Sequence, residues 1–426
     1  MGVKIQEIGI LSYWQNTIFK GIFMAKIKDI LGNFYHPILH KIRQSHLLHT
    51  TAINKMVKKS IVNETRKPRL YVDVTNVHYK DTGTGIARVT KEIAVRIVNY
   101  NQKYDVICIF NKGFDGYLDC NTNEFIKFSK GDIYFGLDHG MYFIMKYDKL
   151  YKNLIKNGVS VYFFLHDLIP LRHPKTCRKP IINNFQYFIK RIIKYTGVIC
   201  NSESTCQDLL LWLQENPRIK RNDNFVVKYS FLGCDFTTRK NINFGVRTDT
   251  LSFLMVSTVE PRKKYDQVIQ AFDILWKKGF DIELTIVGRK GWKAEKIFEL
   301  IENNKEYNKH LHWYNTGISD EELSKLYQKS TAVIMASITE GFGLAVAEAA
   351  QFKKPLIIRN IPVFKEIAGD NAFYFDGLEA NDLASAIENW IDLYKNGNAP
   401  DSAKIKLRTW DDCTKDVYEI LTGEEK

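Results

Sequence analysis

From Arg69 onward, short apolar runs alternate with segments whose apolar residues recur every three or four positions. The runs Leu70–Val74, Val106–Phe110, Ile133–Leu137, Val159–Leu165 and Gly197–Cys200 predict buried strands. Segments such as Ile86–Val98, Met141–Lys156 and Ile181–Tyr195 predict helices between them. A second series starts near Thr248, with strands at Leu251–Val256, Ile282–Val287, His310–Trp313, Ala332–Met335 and Pro355–Ile358. Its helices are expected at Tyr265–Lys278, within Ala294–Asn303, at Asp320–Lys329 and at Gly343–Phe352. Strand-helix alternation of this kind predicts the α/β class, here as two Rossmann-like, doubly wound domains. The expected limits are 68–243 and 244–400, joined through the polar stretch Arg239–Thr250 and followed by a helix in 401–426. Ligands bind at the carboxyl ends of strands in such sheets, so a site is expected in a cleft between the domains.

The chain before Arg69 reads differently. Residues 1–67 alternate short apolar stretches with basic residues, as in Lys26–Leu31 and His40–Arg43, and are expected to form a separate basic extension. Residues 1–69 hold 12 Lys and Arg against 3 Asp and Glu, much of the formal net charge of +13. An arm of this kind fits nucleic acid, anionic lipid, acidic glycan or simple solubility. The apolar stretch Ile8–Met24 is interrupted by Gln15, Asn16 and Lys20, and reads neither as a membrane span nor as a signal peptide. Seven cysteines, with no C-x-x-C pair, argue against a disulfide framework or zinc site and for reduced thiols in a cytoplasmic setting.

Chemistry concentrates in Thr339-Glu-Gly-Phe-Gly-Leu-Ala-Val-Ala-Glu-Ala349, directly after a predicted strand and opening a predicted helix. Gly341 and Gly343 allow a tight turn and close ligand approach, while the backbone of Phe342 and Leu344 lies where a helix start offers free N–H groups to a diphosphate. Glu340 and Glu348 stand about 10 Å apart along the axis, so one can meet a sugar and the other a ribose. Arg262 and Lys263 follow the first strand of the second series, where cations can neutralise a departing nucleoside diphosphate. His166 ends the strand Val159–Leu165 and faces the expected cleft. Gly83 and Gly85 form an incomplete G-x-G-x-x-G, with Arg88 at the third glycine position. Asp138 and Asp235 read as structural, and no D-x-D tripeptide, a common divalent-metal signature, occurs in the chain.

The Glu340–Glu348 stretch resembles the signature of glycosyltransferase family 4, a group of retaining enzymes of the two-Rossmann GT-B fold. The resemblance runs from about Tyr71 to Trp410, and includes Ser257–Lys263, Val287–Trp292 and Ile318–Tyr327. Asp73–Thr75, Thr84–Val89 and His166–Pro170 resemble a branch rich in mannosyltransferases of surface-polysaccharide assembly. Where many members carry an arginine after the first glycine of this domain, the chain has Thr258, and Arg262 stands to take over that charge. The resemblance implies that His166 contacts the donor sugar, that the Gly83–Gly85 loop lies near the donor phosphate, and that the helix opening at Trp410 crosses back to the first domain. It implies a retaining, metal-independent hexosyltransferase with no cofactor. GDP-mannose is the favoured donor and a glycan or lipid-linked oligosaccharide the acceptor. Such an enzyme would lie in the cytoplasm or peripherally on an anionic membrane face, without nucleic acid. The competing readings are a glycoside hydrolase using Glu340 and Glu348, and a non-catalytic carbohydrate-binding protein.

Overall fold

The computed structural model describes residues 35–138, 141–235 and 250–424, with side chains from Leu48 onward apart from that of Tyr142. The expected linker at Arg239–Thr250, apart from Thr250 itself, and about half of the basic extension lie outside the described residues.

The first sheet is built from β1 (Arg69–Asp73), β2 (Asp105–Asn111), β3 (Tyr117–Asp119), β4 (Ile133–Gly136), β5 (Ser160–Leu165), β6 (Gly197–Cys200) and β7 (Val226–Tyr229). Their order is β3-β2-β1-β4-β5-β6-β7, parallel except for the β2–β3 pair. The second sheet holds β8 (Leu251–Val256), β9 (Ile282–Val287), β10 (Leu311–Tyr314), β11 (Ala332–Met335), β12 (Leu356–Arg359) and β13 (Phe373–Phe375), all parallel in the order β10-β9-β8-β11-β12-β13. The strand order reverses between β1 and β4 in one sheet and between β8 and β11 in the other. These are the switch points where α/β sheets open a crevice.

Every residue of β4, β6, β11 and β12 is buried, because helices cover both faces of these sheets. One face of the first sheet packs Tyr71, Tyr134 and Phe163 against Leu150 and Ile189 of flanking helices. The other packs Leu70, Val72 and Phe135 against Val89, Ile93 and Ile97, the apolar stripe of helix Gly85–Ile97. The second sheet is covered by helices Tyr265–Lys277 and Ala380–Lys395 on one face, and by Leu344–Gln351 and Pro362–Ala368 on the other.

Two boundaries move. Residues 48–67 are not a separate arm. Ile53 and Met56, three positions apart on helix Tyr35–Ser60, are buried in the first core, and Ser60 and Val62 bond to the backbone of Phe128. Residues 401–405 remain with the second domain, where Ile405 is buried and Ser402 donates to the Lys354 carbonyl. The return begins near Arg408. Helix Trp410–Thr422 lies against helix Gly85–Ile97, and Trp410, Cys413, Val417 and Leu421 are buried in the core of the first domain. Asp235 accepts from the backbone N–H of Trp410 at 2.7 Å, which fixes the start of that helix. Among the described residues, no helix is long and apolar enough to cross a membrane.

Candidate active site

The loop after β11 is held by both halves of the chain. Gly343 has φ 98° and turns the backbone into helix Leu344–Gln351, and a Cβ there would lie 2.8 Å from the Phe364 ring. At Gly341 a Cβ would fall 1.9 Å from the carbonyl oxygen of His166, at the end of β5. Ser202 and Thr205, after β6, donate their hydroxyls to the Gly341 carbonyl at 2.5 and 3.0 Å. Glycine at 341 is therefore a condition for the carboxyl ends of the two sheets to meet. The ring of Phe342 packs into the first-domain core with Val89 and Trp410.

Glu340 sits in a buried cluster of charge. Lys263 Nζ pairs with its Oε1, Arg262 pairs with its Oε2 at 2.8 Å, and the Ser337 hydroxyl donates to Oε1 at 2.7 Å. Burial alone would raise this carboxyl, but the charges of Lys263 and Arg262 outweigh it and hold it at about 2. Arg262 also pairs with Glu260 at 3.1 Å and donates to the Thr339 carbonyl. The short turn Pro261–Lys263 places both cations. It ends at Lys264, whose φ of 57° bends the chain into helix Tyr265–Lys277.

Glu348 forms a second buried centre. Its Oε1 accepts from Arg88 of the first domain at 2.6 Å and its Oε2 from the Tyr327 hydroxyl at 2.9 Å. Burial pushes this carboxyl up, and Arg88 and Tyr327 pull it back. The Gly83–Gly85 loop lies over the same end of the second sheet. A Cβ at Gly83 would be 3.5 Å from Arg289, one at Gly85 would be 3.5 Å from Leu344, and Arg289 donates to the Thr82 carbonyl.

His166 is buried, its ring edge-on to Phe164 at 5.1 Å, in a pocket lined also by Ile86, Asp167, Phe185 and Phe188. Glu366 adds a clasp between the halves, accepting from the N–H groups of Glu203 and Ser204 at the start of helix Glu203–Glu215. Among the described residues, no three His, Cys, Asp or Glu converge as metal ligands would. Asp138 accepts from the N–H of Val77, a structural contact.

The expected residues thus fall into two adjoining groups at the carboxyl ends of both sheets: His166, Arg262, Lys263, Glu340 and Gly341, and Gly83, Gly85, Leu344 and Glu348. Sequence reading missed Glu260, Tyr327, Ser202 and the partner of Arg88. The Arg88–Glu348 pair spans 260 positions, and no local spacing signals it.

Residues 238–406 match the family described as Glycosyl transferases group 1. The serotype-specific mannosyltransferase WbdA of Escherichia coli is 33% identical over 379 residues, covering 83% of this chain and 46% of that protein. The chain therefore spans about half the length of the curated relatives it matches. The O-antigen chain mannosyltransferase RfbU of Salmonella typhimurium is 24% identical over 227 residues, 53% of this chain and 59% of that one. Among solved structures, a sucrose-phosphate synthase from Thermosynechococcus elongatus superposes with TM-score 0.58 at 14% identity, covering 84% of this chain and all of that one, which bears on the fold. Residues 238–406 thus match a glycosyl transferase domain, the two facing Rossmann-like sheets have the GT-B fold, and the chain resembles the O-antigen mannosyltransferases.

Proposed function

We propose that the chain is a retaining, metal-independent hexosyltransferase that moves mannose from GDP-mannose to a glycan or lipid-linked glycan in surface-polysaccharide synthesis. The observation that carries the reading is the pair of carboxylates flanking one glycine loop and helix start, Glu340 tied to Lys263 and Arg262 and Glu348 tied to Arg88 and Tyr327. A diphosphate at the start of helix Leu344–Gln351 would meet backbone N–H groups and a positive dipole end. The mannosyl choice draws on the similarity to the two mannosyltransferases.

The mechanism favoured is same-face transfer. A carboxylate held at about 2 between two cations is a weak base and a poor nucleophile, and it has no proton to donate near neutral pH. This weighs against a double displacement on Glu340 and against a hydrolase using it as acid. The leaving phosphate would take the acceptor proton while Arg262, Lys263 and the helix start stabilise its charge. Glu340 would hold both cations in register and meet the sugar, and His166 would orient it. The test is transfer from a panel of nucleotide sugars, read by mass spectrometry and NMR. The expected product keeps the donor's anomeric configuration. An inverted product, or free sugar without acceptor, overturns the proposal.

Two further outcomes belong to this reading. The chain lacks D-x-D and places two cations beside the loop, so transfer should persist in excess chelator; loss restored by magnesium or manganese contradicts it. The excess of basic residues in 1–69 and the charges of Lys190, Arg191 and Lys194, whose neighbours Ile192 and Ile193 are buried in the first core, predict salt-sensitive sedimentation with anionic liposomes, at about 1 kcal/mol per basic residue near the surface. Binding that ignores salt, or no binding, counts against the membrane assignment.

A further inference from the structure

Glu348 is a carboxylate whose two oxygens are claimed from two directions. Tyr327, on helix Asp320–Lys329 of the second domain, is wholly buried, and its ring stacks on Phe352 with centroids 5.1 Å apart, which fixes where its hydroxyl points. Arg88 comes from the first domain, one turn into helix Gly85–Ile97, whose start is capped by Thr84. Around Arg88, the Thr82–Arg289 bond and the Gly85–Leu344 approach press the same segment against the second domain. A carboxylate has about four lone-pair sites, so one bond to each oxygen leaves room for two further donors.

We propose that Arg88 and Tyr327 are positioning residues for Glu348, aiming its remaining lone pairs at the two hydroxyls of a nucleotide ribose, and that because Arg88 belongs to the other domain, ribose recognition is complete only when the halves are apposed. The proposal rests on the donor-site reading above. The electrostatics favour it. The charged and titratable groups facing Glu348 are Arg88 on helix Gly85–Ile97, with Tyr327 and Asp320 on helix Asp320–Lys329. Burial and Asp320 push the carboxyl toward its neutral form, and Arg88 is the cation that opposes them. With Arg88 withdrawn, Glu348 takes up a proton more readily and accepts ribose hydroxyls less well. Apposition of the domains and recognition of the nucleotide then share one free energy, whichever comes first.

The test is calorimetric titration of the full chain with GDP, UDP and 2′,3′-dideoxy-GDP between pH 6 and 8.5. It compares Arg88→Ala, Arg88→Lys, Tyr327→Phe and Glu348→Gln with the parent. Each unit by which the Glu348 pKa climbs past the working pH lowers its ionised fraction about tenfold. Arg88→Ala should therefore bind the better of GDP and UDP about tenfold more weakly near pH 6.5 and recover toward pH 8.5, whereas Arg88→Lys stays near the parent. The penalty should vanish with the dideoxy nucleotide. Tyr327→Phe should weaken binding at every pH, since it frees the carboxylate to rotate. If alanine at 88 prevents folding, Arg88→Gln gives the same reading. Weakened binding in Glu348→Gln together with parental, pH-independent binding in Arg88→Ala overturns the positioning proposal alone. Unchanged binding in Glu348→Gln, or no binding by the parent, overturns the donor-site reading itself.

Discussion

At the scale of single residues, the site consists of charges taken out of water in compensating groups. Lys263 and Arg262 both pair with Glu340, and Arg262 also with Glu260, so loss of Glu340 leaves Lys263 buried without its counter-charge. Breaking such a pair from one side costs about 3–5 kcal/mol. Glu340→Gln should lower the melting temperature and slow transfer, and intact-protein mass spectrometry should show no glycosyl adduct on the parent. The pH dependence has a definite sign. Glu340 is held at about 2, below its ordinary 4.5, so its stabilisation is present above pH 4.5 and is lost as pH falls toward 2. Melting curves for parent and Glu340→Gln should converge over that interval; a constant gap contradicts the pairing. Much of this was legible in the sequence. Glu340 declares itself because it opens a glycine loop between a strand and a helix, and Arg262 and Lys263 because they form a cationic pair just after a strand. Tyr327 and Glu260 do not, because a tyrosine on a helix and a glutamate before a proline look the same whether or not a distant partner meets them.

At the scale of elements, the contact between the loop after β11 and the ends of β5 and β6 has no room for a methyl group. Gly341→Ala would put its Cβ into the His166 carbonyl, so the loop or the end of β5 has to move. The expected result is a lowered melting temperature with transfer reduced on the order of 100-fold, the scale on which displacements of about 1 Å tell in a catalytic constellation. Parental turnover in Gly341→Ala would remove the contact from the working geometry. The elements legible in sequence were those with strong local periodicity: β6, β8, β9 and β11 agree with the expected runs to the residue. Those missed were short or half exposed. β7 shows only two partly buried positions followed by two exposed ones, and β3 and β13 have three residues each. Helix Tyr35–Ser60 reads as a charged arm because Ile53 and Met56, buried apolar positions in its described part, stand among lysines at 55, 58 and 59.

At the scale of the whole molecule, the chain crosses between its halves twice, once near residues 236–249 and again before Trp410. Trp410 is wholly buried in the core of the first domain, so Trp410→Ala should cost about 3–5 kcal/mol. A cooperative melting transition shifted down by several degrees is the expected reading, and an unchanged transition would detach the helix from that core. What periodicity could not supply was which sheet this helix serves, because its apolar stripe fits either.

The return of helix Trp410–Thr422 also bears on how the protein is made. Synthesis runs from the amino end, and domains generally fold as units in the order they emerge. Here the side of helix Gly85–Ile97 that helix Trp410–Thr422 covers stays open while the entire second domain is translated. The half that leaves the ribosome first is thus the half completed last. Over that interval helix Gly85–Ile97 is part of an unfinished surface that chaperones, or other nascent chains, can reach.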